Sequence, residues 1–560
     1  MKNTIFPILL TCFSAVTALA QTPAWALTAA LDSIVTDAKY RPENPGFAVM
    51  IIQNGQIVYE RQRGMANLEK RLPLRAETMF NIGSITKQFT AAAIFLLAEK
   101  GSLRVSDPVQ KHLPELPGFG APVTLQHLLT HTSGIPDHFE VAGMQNDFSS
   151  RLCDFDKVVE LLRAAPELSF PPGSDFAYCN TAYMLLAMVV ERVSGLTIHD
   201  FTAQNIFRPL GMAHSNFYQQ EKDGLPDGTT AYAFQPEKGK FKHGKPYPNA
   251  TGATGVQTTL RDFYRWDQNF YHDRLGNGSI IEKMETSARL NDGSLTQYGS
   301  GLLLKPLQGH QMVSHGGGWS SFLMEYRRFP DLGLSVLVAS NNNFSSPFPL
   351  ADAICRRILP PDTASVLPLT PTVLLPLTAQ NLVGTFLSAS NFIRSVRVNG
   401  TNLSLSIPQR SGKETLLRLD FIEKSGADNT LIFRDERGEM VVFKLDSTGQ
   451  QTLGFWWAGG HYFQVRRFYQ KLAAPALGRS ALPFVGTYRS KSRKQTLRIR
   501  RDRGSGGLKL KPVFFLKYPL EPLGGEAFQV RGEPIVIRFR KEEMIVGNDW
   551  ANGLRLKKIR

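Results

Sequence analysis

The chain has 560 residues, 42% of them hydrophobic and 20% charged, which excludes a disordered or fibrous polymer and predicts several domains around a large core. Its net charge of +16 is unevenly placed: residues 471–560 hold 21 Lys/Arg against 7 Asp/Glu, whereas the first 470 residues carry 43 against 41. A uniformly basic nucleic-acid binder is thereby excluded, and a basic C-terminal unit on a near-neutral body is expected.

Residues 1–20 read as a secretory signal peptide. Met1-Lys2 opens positive, Ile5–Val16 is mostly apolar, and Ala18-Leu19-Ala20 is a small-x-small cleavage pattern that recurs at Ala24-Trp25-Ala26. Export, to the periplasm or as a secreted protein, is expected. Cys12 after Leu9-Leu10-Thr11 is a weaker signal for a lipid-modified cysteine. Cleavage would leave Cys153, Cys179 and Cys355, an odd number that cannot all pair, and Cys179 is expected to be a small packed thiol.

Residues 46–60 alternate around Asn54-Gly55, the pattern of a tight hairpin. Residues 85–99 form an Ala-rich helix that ends before Gly101, and Asn180–Val193 form another that ends at Ser194-Gly195. Gln311–Ser314, Phe322–Phe329 and Leu334–Ala339 return to strands. Strands at both ends with helices between predict an α+β layered domain with an antiparallel sheet over residues 28–357. Residues 358–380 hold five prolines and read as a linker. Beyond them Leu382-Val383-Gly384-Thr385-Phe386 is echoed by Phe484-Val485-Gly486-Thr487-Tyr488, and each copy leads into short β-rich runs. Two small antiparallel barrels are expected, residues 381–470 and 484–560, joined by a linker at 471–483.

Three short motifs carry chemistry. Ser84-Ile85-Thr86-Lys87 opens the first helix and puts Ser84 and Lys87 on one face. A serine hydroxyl needs a nearby base, and a lysine becomes one when burial lowers its pKa. Tyr178-Cys179-Asn180 lies on a loop before the second helix, where a tyrosine could relay a proton if lysine stabilised its phenolate. Tyr247-Pro248-Asn249 competes, but no helix follows it. His315-Gly316-Gly317-Gly318 allows close backbone approach and exposes N–H groups. Each motif also has an ordinary reading: a helix cap with a solvated lysine, a turn, and a glycine-rich hairpin with a surface histidine. An α/β-hydrolase oxyanion loop would need a Gly-x-Ser-x-Gly elbow, which the chain lacks. The 11 histidines show no ligand spacing, and no nucleotide fingerprint occurs, so neither metal nor cofactor is expected.

Together the three motifs resemble the serine β-lactamase and penicillin-binding-protein superfamily. Phe80–Thr90, His127–Pro136, Phe207–Met212 and Tyr298–Gly301 are similar to that family's flanking segments. The Tyr-x-Asn form resembles class C β-lactamases, D-peptidases and Ser-x-x-Lys esterases. The resemblance implies that Ser84 becomes acylated, that Lys87 and Tyr178 share the proton work, and that Asn180 holds the substrate amide. It also implies an oxyanion hole from the N–H groups of Ser84 and Gly318. His315 and Gly317 fall where many members carry Lys-Thr-Gly, which disfavours strong β-lactamase activity. His-x-Gly resembles D-aminopeptidases, whose two C-terminal lipocalin-like barrels match the expected architecture.

An exported serine hydrolase acting on a small peptide, amide or ester is the leading expectation, with a D-amino-acid peptide as the substrate class. Carboxylesterase, D,D-carboxypeptidase and β-lactamase remain alternatives, and a penicillin-type sensor or an envelope-binding protein is the non-enzyme one. The alternating Leu497, Ile499, Leu508 and Leu510 place the cations of residues 484–560 on the outer face of a folded sheet. That face is either simply solvated or attached to anionic envelope polymers or lipid head groups.

Overall fold

The computed structural model describes residues 24–359, except 37–40, 120–121, 140–152, 165–167, 218–224, 236–237 and 245–249, with side chains from residue 28; between 384 and 558 it describes strands by their backbone alone. The expected signal peptide, most of the expected proline-rich linker and Tyr247-Pro248-Asn249 lie outside the described residues.

The chain enters through α1 (Ala24–Val35) and the hairpin β1 (Phe47–Gln53) and β2 (Gln56–Arg63). The expected Asn54-Gly55 turn is present, with φ of 50° and 74°. Those paired positive values match the right-handed twist of the flanking strands. A helical region follows, whose main members are α2 (Lys87–Glu99), α3 (Asn180–Ser194) and α4 (Leu260–His272). The chain then returns to the sheet as β3 (Leu303–Leu307), β4 (His310–Trp319), β5 (Phe322–Phe329) and β6 (Leu334–Ser340), and α5 (Pro347–Ile358) closes the unit. The six strands lie in the antiparallel order β3-β4-β5-β6-β1-β2. The first and last parts of the domain thus meet at its centre, with Phe47 opposite Ser340 and Gln53 opposite Leu334.

Both faces of the sheet are covered, which explains the unbroken apolar runs in β1 and β6. Phe47, Val49 and Ile51 pack with Val336, Val338, Leu31 and Ile354 on the α1/α5 side. The alternate residues Ala48, Met50 and Ile52 pack with Met324, Tyr326 and Leu337 against the helical region. Period-two alternation in a doubly covered strand sends every other apolar side chain to a different core. Helix α2 is buried continuously from Lys87 to Leu97, so it forms the centre of the second core. A helix apolar on all sides is stable only inside a protein, and this one carries a lysine into that interior.

Helix α3 ends as its sequence predicts. Gly195 follows it at φ 72°, and its N–H bonds the Glu191 carbonyl. A side chain there would meet no atom within 4 Å, so only backbone strain opposes one. Gly195→Ala should therefore cost about 1 kcal/mol in denaturant unfolding and leave kcat unchanged. Unaltered stability would contradict this account of the helix end.

Candidate active site

Ser84 lies in a 3-10 turn, Gly83–Thr86, that feeds directly into α2. The expected helix at 85–99 is thus tighter at its start. Residues i and i+3 eclipse in such a turn, which brings Ser84 over Lys87. The turn is tied to the strand Val256–Thr259: the Val256 N–H donates to Thr86 Oγ1 at 3.0 Å, and the Ile82 N–H donates to the Val256 carbonyl at 3.1 Å.

Lys87 is 0% exposed. Its Nζ lies 3.0 Å from Asn180 Oδ1, 2.9 Å from the Ala253 carbonyl and 3.3 Å from Ser84 Oγ. Burial pulls its pKa down to about 7, against the opposing pull of the Asp137 carboxylate and Cys179. The amine therefore reaches neutrality near physiological pH. Asn180 Oδ1 and the Ala253 carbonyl can only accept. A neutral amine has two protons to give them, and its lone pair is left toward the Ser84 hydroxyl. This geometry suits proton removal from Ser84. The Ala253 carbonyl is a backbone acceptor with no residue signature, so the sequence alone does not reveal it.

Tyr178 packs its ring 4.6 Å from Lys87 Nζ. Burial pushes its phenol well above the usual tyrosine range, and a hydrogen bond with Ser84 works the other way. Tyr178 is accordingly a neutral phenol beside Ser84, not the lysine-stabilised phenolate that the sequence suggested. The same desolvation that neutralises Lys87 also disfavours a phenolate. Its hydroxyl is buried rather than wet.

The segment around Tyr178 is held by a loop, His131–His138, that overlaps the family-like stretch His127–Pro136. The Ala177 N–H donates to the His131 carbonyl at 2.9 Å, and the Cys179 N–H donates to His131 Nδ1 at 3.1 Å. His131 adopts φ 57°, and its ring lies 4.3 Å from that of Tyr178. Because Nδ1 accepts, His131 is neutral with its proton on Nε2, and burial keeps it so. Cys179 donates its thiol to the Ile135 carbonyl at 3.3 Å, the packed role expected of it. Cys153, Cys179 and Cys355 are buried thiols, none of them in a disulfide.

His315-Gly316-Gly317-Gly318 is not a loop. β4 runs through it to Trp319, paired with β5 from Val313↔Arg328 to Trp319↔Phe322. β3 pairs with β4 only as far as Ser314, so the edge of residues 315–319 has no strand partner among the described residues. The Ser84 turn packs there, backbone against backbone. A methyl group on Gly317 would sit 1.9 Å from the Ile82 carbonyl and 3.1 Å from the Ser84 nitrogen; one on Gly83 would sit 2.3 Å from the Gly318 nitrogen. Only glycine permits that approach, and it brings the Ser84 and Gly318 amides close together.

His315 is fully buried, not a surface residue. Its Nδ1 lies 2.6 Å from the Gly316 carbonyl, which can only accept, so Nδ1 carries the proton. Nε2 then accepts from the Tyr298 hydroxyl at 3.2 Å. Burial, reinforced by the Lys87 charge, lowers the His315 pKa to about 3. Tyr298 was visible in sequence only as part of a flanking segment. The structure thus gathers Ser84, Lys87, Tyr178, Asn180, His315, Gly317 and Gly318 at one site, from three regions of the chain. Among the described residues no group of three His, Cys, Asp or Glu is placed to hold a metal ion.

Known proteins are similar to this chain in sequence and fold. The Beta-lactamase family profile matches residues 31–357. Over 308 residues the chain is 31% identical to penicillin-binding protein 4* of Bacillus subtilis, covering 52% of this chain and 67% of that protein. It is 28% identical over 299 residues to a D-aminopeptidase of Gluconobacter oxydans, a match spanning 52% of this chain and only 56% of that one. Among solved structures, the octameric penicillin-binding protein homologue from Pyrococcus abyssi aligns with a TM-score of 0.53 at 26% identity, over 79% of this chain and 99% of its own. The penicillin-binding protein of Bacillus halodurans aligns at 0.50 and 28%, over 58% and 98%. With more than half of its length matched, the chain belongs to the beta-lactamase family, as a serine hydrolase that works through an acyl-enzyme.

Proposed function

We propose that the protein is an exported hydrolase of D-amino-acid amides and short peptides that acts at the N-terminal residue, with Ser84 as nucleophile. Lys87, neutral above about pH 7, takes the Ser84 proton. Tyr178, as a phenol in contact with Ser84, gives its own proton to the leaving amine, and the Lys87 ammonium, 4.6 Å from its ring, replaces that proton. Asn180, its Oδ1 occupied by Lys87, offers its amide nitrogen toward the substrate. The Ser84 and Gly318 N–H groups stabilise the tetrahedral oxyanion, an effect worth roughly 2.7–4 kcal/mol per donor.

The observation that carries the substrate reading is the neutral, internally bonded His315. A lysine on this strand would offer a cation to a substrate carboxylate. His315 offers none near neutral pH, since burial lowers its proton affinity and both ring nitrogens are bonded internally. Substrates that end in an amide or ester, or that present a free amine, are favoured over β-lactams and C-terminal carboxylates. The likeness to the Gluconobacter D-aminopeptidase supports the same reading.

Two antiparallel barrels are proposed for residues 381–470 and 484–560. Backbone pairing supports them: successive strands pair in order, and the sets close through Phe386↔Lys471 and Tyr488↔Lys558. The second set carries most of the chain's net charge and would face anionic envelope polymers or lipid head groups.

Turnover of D-alanyl and D-phenylalanyl amides is expected to exceed that of a chromogenic cephalosporin, and Ser84→Ala should abolish all of it. Cephalosporin turnover above that of the amides would overturn the substrate reading. The value of kcat/KM should rise with pH through about 7 and then level, since the protonated amine below that point cannot accept the serine proton. A profile flat from pH 5 to 9 would exclude Lys87 as the acceptor. Gly317→Ala, folded by circular dichroism, should lose about 100-fold in kcat by displacing the Ser84 turn from β4. Near-normal kcat would remove the backbone contact from the mechanism.

A further inference from the structure

We infer that Asp137 is a positioning residue of the acyl-transfer site: its carboxylate seats Asn180 at the head of α3 and supplies the negative charge that acts on Lys87. The inference rests on the proposed role of Lys87 as proton acceptor.

Asp137 is 5% exposed. Its Oδ2 accepts the Asn180 N–H at 2.5 Å, and its Oδ1 accepts the Phe139 N–H at 3.0 Å. The residue that should cap α3, Cys179, makes no side-chain cap. Asp137 performs that task from 43 positions earlier in the chain. A carboxylate is well suited to the positive end of a helix. The flanking contacts fix its approach: His131 binds the N–H groups on either side of Tyr178, and the His138 N–H donates to Thr181 Oγ1 at 2.7 Å. A continuous relay results. The Asp137 carboxylate holds the Asn180 backbone, and the Asn180 carboxamide holds Lys87 Nζ at 3.0 Å.

Lys87 is surrounded by groups from several parts of the fold. Its own turn gives Ser84; the loop before α3 gives Tyr178 and Cys179; α3 gives Asn180 and Tyr183. β4 gives His315, and the segment before Val256 gives the Ala253 carbonyl. The His131–His138 loop gives His131, His138 and Asp137. Burial pushes all three histidines down and both tyrosines up, so these rings are uncharged near neutral pH. Asp137 is the carboxylate in this set, and it opposes the desolvation that lowers Lys87. Among the described residues it is the first of the two groups, before Cys179, that oppose the desolvation of Lys87.

Asp137→Asn tests the inference, because it keeps an oxygen acceptor for the Asn180 N–H and removes the charge. Lys87 is titrated directly in the full-length protein by NMR of isotope-labelled lysine, with Lys87→Arg to assign the signal. The Lys87 midpoint should fall by at least about one pH unit in Asp137→Asn, and Asp137→Glu should restore most of it. Asp137→Ser, a neutral capping residue, should give the same fall as Asp137→Asn. An unchanged midpoint in a folded variant overturns the inference. So does failure of both neutral variants to fold, which would make Asp137 a structural cap only. A moved midpoint with an unmoved acid limb of kcat/KM supports Asp137 and removes Lys87 as the acceptor, so the two readings fail separately.

Discussion

The structure depends on the burial of one amine. Lys87 sits within the first turn of a helix that has no exposed face along most of its length. An ammonium in that position would cost several kcal/mol of lost hydration, and the protein meets the cost by lowering the proton affinity of the group. Everything around it follows from that choice. Two obligate acceptors, the Ala253 carbonyl and Asn180 Oδ1, orient the amine. The tyrosines and histidines around it stay neutral because they share its desolvation. A single carboxylate limits how far the amine's basicity falls. The result is a base of ordinary strength where an exposed lysine would be useless near neutral pH.

A second constraint is geometric. The nucleophile belongs to the helical region and the oxyanion strand to the sheet, whose inner face shares one hydrophobic core with that region. They are registered against each other by backbone contact at Gly83, Gly317 and Gly318, where no side chain intervenes. Contact of that kind is stiff, because it cannot relax through rotamer changes. It also explains why the triglycine segment continues as strand: β5 pairs with it on one edge, and the Ser84 turn replaces a strand on the other.

Much of this was legible in the sequence where a local rule applied. The Asn54-Gly55 hairpin, the two apolar helices and the glycine after Ser194 follow from turn chemistry and periodicity, and the observed elements match them closely. Ser84 and Lys87 were recognisable because their spacing encodes a shared face. The environment that gives them their chemistry was not legible. Asp137 caps a helix 43 residues away, Ala253 contributes only a carbonyl, and His315 reads as a surface histidine in glycine-rich surroundings until the fold buries it. Long-range burial decides the charge state of each group, and no window along the chain reports it. The strand prediction stopped at Ser314 for a related reason: glycines read as a loop unless a neighbouring backbone requires them.

The central claim is that Ser84 carries the acyl group between two half-reactions. Rapid quench of the enzyme during turnover of a p-nitrophenyl ester, followed by intact-mass measurement and peptide mapping, tests it most directly. A single acyl adduct on Ser84 that forms and decays at rates consistent with kcat is the predicted result. Steady turnover with no adduct, or with the adduct on another residue, would contradict the account.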